Sequence, residues 1–135
     1  MKKQLLLLAA CLLTHGLAHA YTAQELLADC RAAESLYAGE KNSDPFFAMR
    51  SNRCISYVAG FADGYSVSDF LAEKVGVRLN AFCLPNDGDL SQRLVRAVVI
   101  HVERTPPQTT NSTATLVAGA LAKSFPCSDS LESKK

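Results

Sequence analysis

The chain has 135 residues, with 14 Lys+Arg against 13 Asp+Glu, 48% hydrophobic and 20% charged. That length suits one domain, and the balance of apolar and charged residues is globular, not disordered. Near-zero net charge excludes the basic footprint of a nucleic-acid binder.

The N-terminus has the form of an export leader. Lys2 and Lys3 precede the apolar run Leu5–Leu13, and Ala18-His19-Ala20 offers the small residues a signal peptidase accepts. Residues 1–20 are expected to be a signal peptide, and 21–135 a single helical domain beginning at Tyr21. The apolar run is nine residues long, whereas a bilayer span takes about 20. Leu8-Ala9-Ala10-Cys11 also fits a lipobox, so lipidation at Cys11 is the alternative processing. Either route exports the chain, and the periplasm is the expected location. No later stretch is apolar enough for a membrane span.

Four helices are predicted in the mature chain. Thr22-Ala23-Gln24-Glu25 is a capping box, followed at helical spacing by Leu26, Leu27, Cys30, Ala33 and Tyr37, with Gly39 as the stop. Asp44-Pro45 predicts a second start, Asp44 as N-cap and Pro45 in the first position. Cys54, Val58, Phe61 and Tyr65 share one face of that helix, which runs to about Tyr65 or beyond. Between Ser66 and Pro85 the pattern weakens, with helix possible over Asp69–Lys74. Asp87-Gly88-Asp89 precedes a third helix whose apolar arc is Leu90, Leu94, Val95, Val98 and Val102, stopped by Pro106-Pro107. Asn111 or Ser112 caps a fourth that buries Leu116, Val117, Ala120 and Leu121 and ends near Phe125-Pro126. No segment alternates as a strand does. The expected fold is all-α, a compact bundle of four to five helices.

Cysteine spacing then fixes the connectivity. The mature cysteines are Cys30, Cys54, Cys83 and Cys127, an even set in a small exported domain. Antiparallel helices oppose residues equidistant from their turn. The midpoint of Cys30 and Cys54 is 42, inside the first turn, and that of Cys83 and Cys127 is 105, where the last loop begins. Each disulfide is therefore expected to staple one helical hairpin, contributing roughly 3–4 kcal/mol. Gaps of 24, 29 and 44 residues without a C-x-x-C pair argue against zinc.

Catalytic chemistry finds little support. The mature chain keeps one histidine, His101, inside the apolar arc of the third helix, and all four cysteines are committed to bridges. No G-x-S-x-G, G-x-x-x-x-G-K or G-x-G-x-x-G occurs. No enzyme activity, metal or cofactor is expected. Binding surfaces are the better candidates. Gly60 and Gly64 form a small-residue stripe for close helix packing within the chain or, alternatively, in a dimer. Ile100 lies among Arg93, Arg96 and Arg104 on the polar side of its helix, a candidate partner anchor. The irregular stretch Val75–Asn80 and the loop carrying Asp87 and Asp89 are further candidate contacts.

Several stretches carry a family likeness. Cys54-Ile55-Ser56-Tyr57-Val58-Ala59-Gly60-Phe61-Ala62-Asp63-Gly64, then Phe82-Cys83-Leu84-Pro85, then Gln92 leading Val95 to Val102, occur in that order. Leu116-Val117-Ala118-Gly119-Ala120-Leu121 and Phe125-Pro126-Cys127 follow. Over roughly residues 50–127 this order resembles the Rap/Tai family of periplasmic immunity proteins associated with type VI secretion. His101 departs from the pattern, standing where an aromatic is expected. The resemblance implies an all-α, disulfide-stabilised protein that binds and blocks a secreted peptidoglycan amidase, commonly as a homodimer. The competing class is a periplasmic acid-stress chaperone of the HdeA kind, also small, exported and helical. A holdase assay near pH 2–3 separates the two.

Overall fold

The computed structural model describes residues 21–105 and 112–127. Among these the chain forms four helices and no strand: α1 (Ala23–Tyr37), α2 (Phe47–Glu73), α3 (Leu90–Arg104) and α4 (Thr113–Ser124). Residues 1–20, expected to be a signal peptide, with Cys11 among them, and Pro106-Pro107 and Asn111 lie outside the described residues.

The capping box forms as expected at α1. Glu25 donates its backbone N–H to Thr22 Oγ1 at 3.2 Å, and the Thr22 N–H reaches Glu25 Oε2 at 2.9 Å. Past the last turn Gly39 takes φ +70°, a left-handed conformation that glycine adopts without steric cost. The second start is shifted. Asp44 does not cap a helix at Pro45; its Oδ1 accepts the Phe46 N–H at 2.9 Å and closes a turn, so α2 begins at Phe47. Asp44 Oδ2 also pairs with Arg50 at 3.0 Å, fastening that turn to the first turn of α2. At α4, Ser112 accepts the Thr115 N–H at 3.2 Å, the expected cap.

The core is one contiguous cluster. α1 contributes Leu26, Cys30 and Ala33; α2 adds Cys54, Val58 and Ala62; α3 and α4 supply Leu94 to Val102 and Leu116 to Leu121. α1 packs on α2 and α3, and α3 packs on α4. Cys30–Cys54 joins α1 to α2 with a Cα–Cα distance of 5.1 Å, both cysteines fully buried. Cys83–Cys127 spans 4.9 Å between the segment before α3 and the chain after α4. Both pairings are those that the midpoint geometry requires. No helix among the described residues is long and apolar enough to cross a membrane.

A second expectation differs: among the described residues nothing packs closely on Gly60 and Gly64, since a Cβ on either would meet nothing within 4 Å. The reason is rotational. Cys54, Val58 and Ala62 turn the other side of α2 inward, which leaves both glycines exposed on its outer face.

Candidate functional site

The 27 residues of α2 exceed the 15 of α1, a difference of about 18 Å at 1.5 Å per residue. The last buried residue of α2 is Ala62, so Asp63–Glu73 stands clear of the bundle as an arm. Here the weak pattern seen in the sequence has its cause. A helix with no core beneath it has no reason to keep apolar residues on one face, yet it stays helical.

The chain then folds back along this helix. Gly76 turns it at φ +78°, and Asn80 takes φ +47° farther down. The Val77 N–H reaches the Ala72 carbonyl at 3.0 Å, Leu79 N–H reaches Asp69 Oδ1 at 3.0 Å, and Ala81 N–H reaches Tyr65 Oη at 2.8 Å. As the donors advance the acceptors retreat, so residues 77–81 run antiparallel to α2. Phe82, buried, ends this extended segment by stacking on Tyr65 with ring centroids 3.9 Å apart. Cys83 then fastens it, through the disulfide and through an N–H to the Phe125 carbonyl at 2.8 Å.

The arm presents apolar side chains among the exposed charges Glu73, Lys74 and Arg78, with Lys74 Nζ 4.6 Å from the Phe70 ring centroid. Val67, Phe70, Leu71, Val75, Val77 and Leu79 are all exposed, Val75 at 77%. Scattered single hydrophobics are ordinary on a surface, but six within thirteen residues form a concentration. Val75–Asn80, expected as an irregular contact stretch, is the tip and return segment of this arm.

The other expected contact residues are dispersed and partly occupied. Asp87 pairs with Arg93, while Asp89 gives its carbonyl to the Arg93 N–H at 3.1 Å and makes no side-chain cap. Arg96 reaches Glu34 at 3.4 Å across a polar cleft of about 430 Å³ between α1 and α3. Arg31 and Glu103 pair at 3.0 Å in the same cleft. Burial pushes the Glu34 carboxyl up, with Arg96 opposing it. Ile100, 36% exposed, sits between α3 and α4 in a shallow groove of about 230 Å³ with His101, Arg104 and Lys123. Burial, then the Lys123 charge, hold His101 below the ordinary imidazole value.

A buried polar cluster escaped the sequence reading. Asp29, on the inner side of α1, accepts from Arg53 Nε at 2.5 Å and from Tyr21 Oη at 2.7 Å. Burial first, then the Asp29 contact, raise the Tyr21 phenol well above its usual range. Arg53 also lies over the Tyr21 ring at 5.0 Å, and Tyr57 meets that ring edge-on at 5.1 Å. The Tyr21 carbonyl accepts from the Thr113 hydroxyl on α4. These contacts tie the start of the described chain to three helices, a structural role. Among the described residues no group of three or more His, Cys, Asp or Glu is placed to hold a metal ion.

A family model for Rap1a immunity proteins matches residues 22–127. The match extends the likeness upstream of residue 50 to include α1 and its capping box. No curated protein matches the chain, and no solved structure does.

Proposed function

The chain belongs to the Rap1a immunity protein family, and from that premise we propose that it protects its cell by binding and occluding a secreted peptidoglycan amidase. It acts in the periplasm after loss of residues 1–20, and does no chemistry itself. The observation carrying this reading is the arm: a rigid bundle holds out six exposed apolar side chains at one end. A preformed, double-layered projection loses little conformational entropy when it enters a cleft, which favours tight inhibition. Val75 and Val77 at the tip are the anchors, with Phe70 and Leu71 behind them. Asp87, Asp89, Arg93, Arg96 and Ile100 are at most rim contacts, acting mainly on association rate. A homodimer is part of the proposal, with the outer face of α2 around Gly60 and Gly64 free to meet a second copy.

The test is inhibition of candidate secreted peptidoglycan amidases by the mature chain. Val75→Asp with Val77→Asp should lose inhibition at least 100-fold while the circular-dichroism spectrum and melting are unchanged. Full inhibition by that variant removes the arm from the interface. No amidase bound by the wild type removes the function.

A further inference from the structure

We propose that Cys83–Cys127 is a thiol-exchange site, which a dithiol reductant opens ahead of Cys30–Cys54 and so unfastens the return segment of the arm. The two bridges differ in surroundings. Cys30 and Cys54 are each 0% exposed, sealed between α1 and α2 within the core. Cys127 is buried, but Cys83 is exposed at the base of the arm. Exchange requires a thiolate to reach a sulfur, so access decides which bridge reacts first.

The chemistry balances with one dithiol. Its thiolate attacks Cys83 Sγ; the bond to Cys127 Sγ breaks, and Cys127 leaves as a thiolate that takes up a proton. The second thiol of the reductant attacks the mixed disulfide and releases Cys83 as a thiolate, protonated in turn. Two electrons pass to the cysteine pair, and the reductant becomes a disulfide.

The consequence falls on the arm. Once the bridge opens, the segment is held at its base by Phe82, which is buried in the core and stacks on Tyr65, by Leu84 packed against the core, and by the Cys83 N–H to Phe125 bond. The loosening therefore falls on residues 75–81 above them. Higher up, Ala81 and Leu79 rest on Tyr65 and Asp69 through one hydrogen bond each. The bundle keeps Cys30–Cys54 and the core cluster, so its helices persist. That loosening the arm also weakens inhibition rests on the proposed function; the order of reduction does not.

The experiment treats the oxidised protein with graded dithiothreitol, traps thiols with iodoacetamide and maps the peptides. An intermediate carrying alkylated Cys83 and Cys127 with Cys30–Cys54 intact should form at least tenfold faster than the fully reduced chain. In that intermediate, trypsin should cut after Lys74 and Arg78 at least tenfold faster, with the helical signal retained. Cys83→Ser with Cys127→Ser should show the same cleavage without reductant, and if that variant does not fold, the trapped intermediate supplies the measurement. Opening of Cys30–Cys54 first, simultaneous loss of both bridges, or unchanged cleavage at Lys74 and Arg78 overturns the proposal. A protein that binds no amidase yet shows this reduction order refutes the function and leaves the latch standing.

Discussion

The bundle and the arm are built by different rules from one continuous helix. Up to Ala62, α2 is held from the side: by α1, by a buried disulfide and by the core. Beyond it, Tyr65 still packs against the core, and the rest of the helix is held among the described residues by the segment that follows it in sequence. In the first half, Cys54, Val58 and Ala62 are inside and carry stability. In the second, Val67, Phe70 and Leu71 are exposed and stability does not depend on them.

That division can be broken by mutation, and the largest effect belongs to the bundle. Cys30→Ala with Cys54→Ala removes a bridge closing a 24-residue separation, and urea unfolding should show a loss of about 3–4 kcal/mol. The arm gives the opposite result. Val75→Ser with Val77→Ser should change unfolding free energy by no more than about 0.5 kcal/mol, because both side chains are already exposed. Their effect should appear in amidase affinity, where calorimetry would register it. A large stability loss there would mean the arm is part of the folding unit.

Arg53→Ala probes the buried polar cluster inside the bundle. It leaves the carboxylate of Asp29, 2% exposed, with Tyr21 alone. Fully buried pairs cost about 3–5 kcal/mol to break. Here the guanidinium is 47% exposed, and solvent screening lowers the expectation to about 2 kcal/mol. Thermal melts of Arg53→Ala and Arg53→Lys check it, the lysine recovering part of the loss. An unchanged melt would show that Asp29 finds water once the arginine is gone.

The sequence made the bundle legible because its constraints are local or symmetric. Thr22 and Glu25 are three residues apart, and Cys30 and Cys54 straddle their turn evenly. The arm was half legible: Val75–Asn80 stood out as irregular and helix was possible over Asp69–Lys74, but α2 could not be followed continuously to Glu73. Periodicity reports burial, and Asp63–Glu73 contains no buried residue. The Asp29–Arg53–Tyr21 cluster was invisible for another reason. A single aspartate on an apolar face reads as noise until its partner 24 residues away is brought against it. The intrachain packing expected at Gly60 and Gly64 is absent among the described residues, because a helical stripe of small residues looks alike whether it faces a neighbour or solvent.

The smallest expected effect compares glycines. Gly60 is exposed inside α2, and an added methyl meets nothing within 4 Å. Gly60→Ala should therefore stabilise the chain by up to about 1 kcal/mol, the helix-propensity difference. Gly119 in α4 is different. A Cβ there would stand 3.1 Å from His101 Nε2, so the ring must move toward the groove shared with Arg104 and Lys123. That displacement opposes the propensity gain, and Gly119→Ala should be close to neutral in stability. Titration is the finer readout. In the folded protein His101 titrates below the ordinary 6.5, from burial first and Lys123 second. Because the folded value is depressed, the unfolded chain binds the proton more readily, and stability falls as pH drops through 6.5 toward the folded pKa. Moving the ring into the groove reduces burial, the larger cause, while bringing it nearer Lys123, the smaller one, so Gly119→Ala should raise the His101 pKa part of the way toward 6.5. NMR of the imidazole across pH 4–8 measures both proteins. An unshifted pKa in Gly119→Ala would mean that α4 moves instead of the ring, and that the α3–α4 contact is softer than its tight spacing implies.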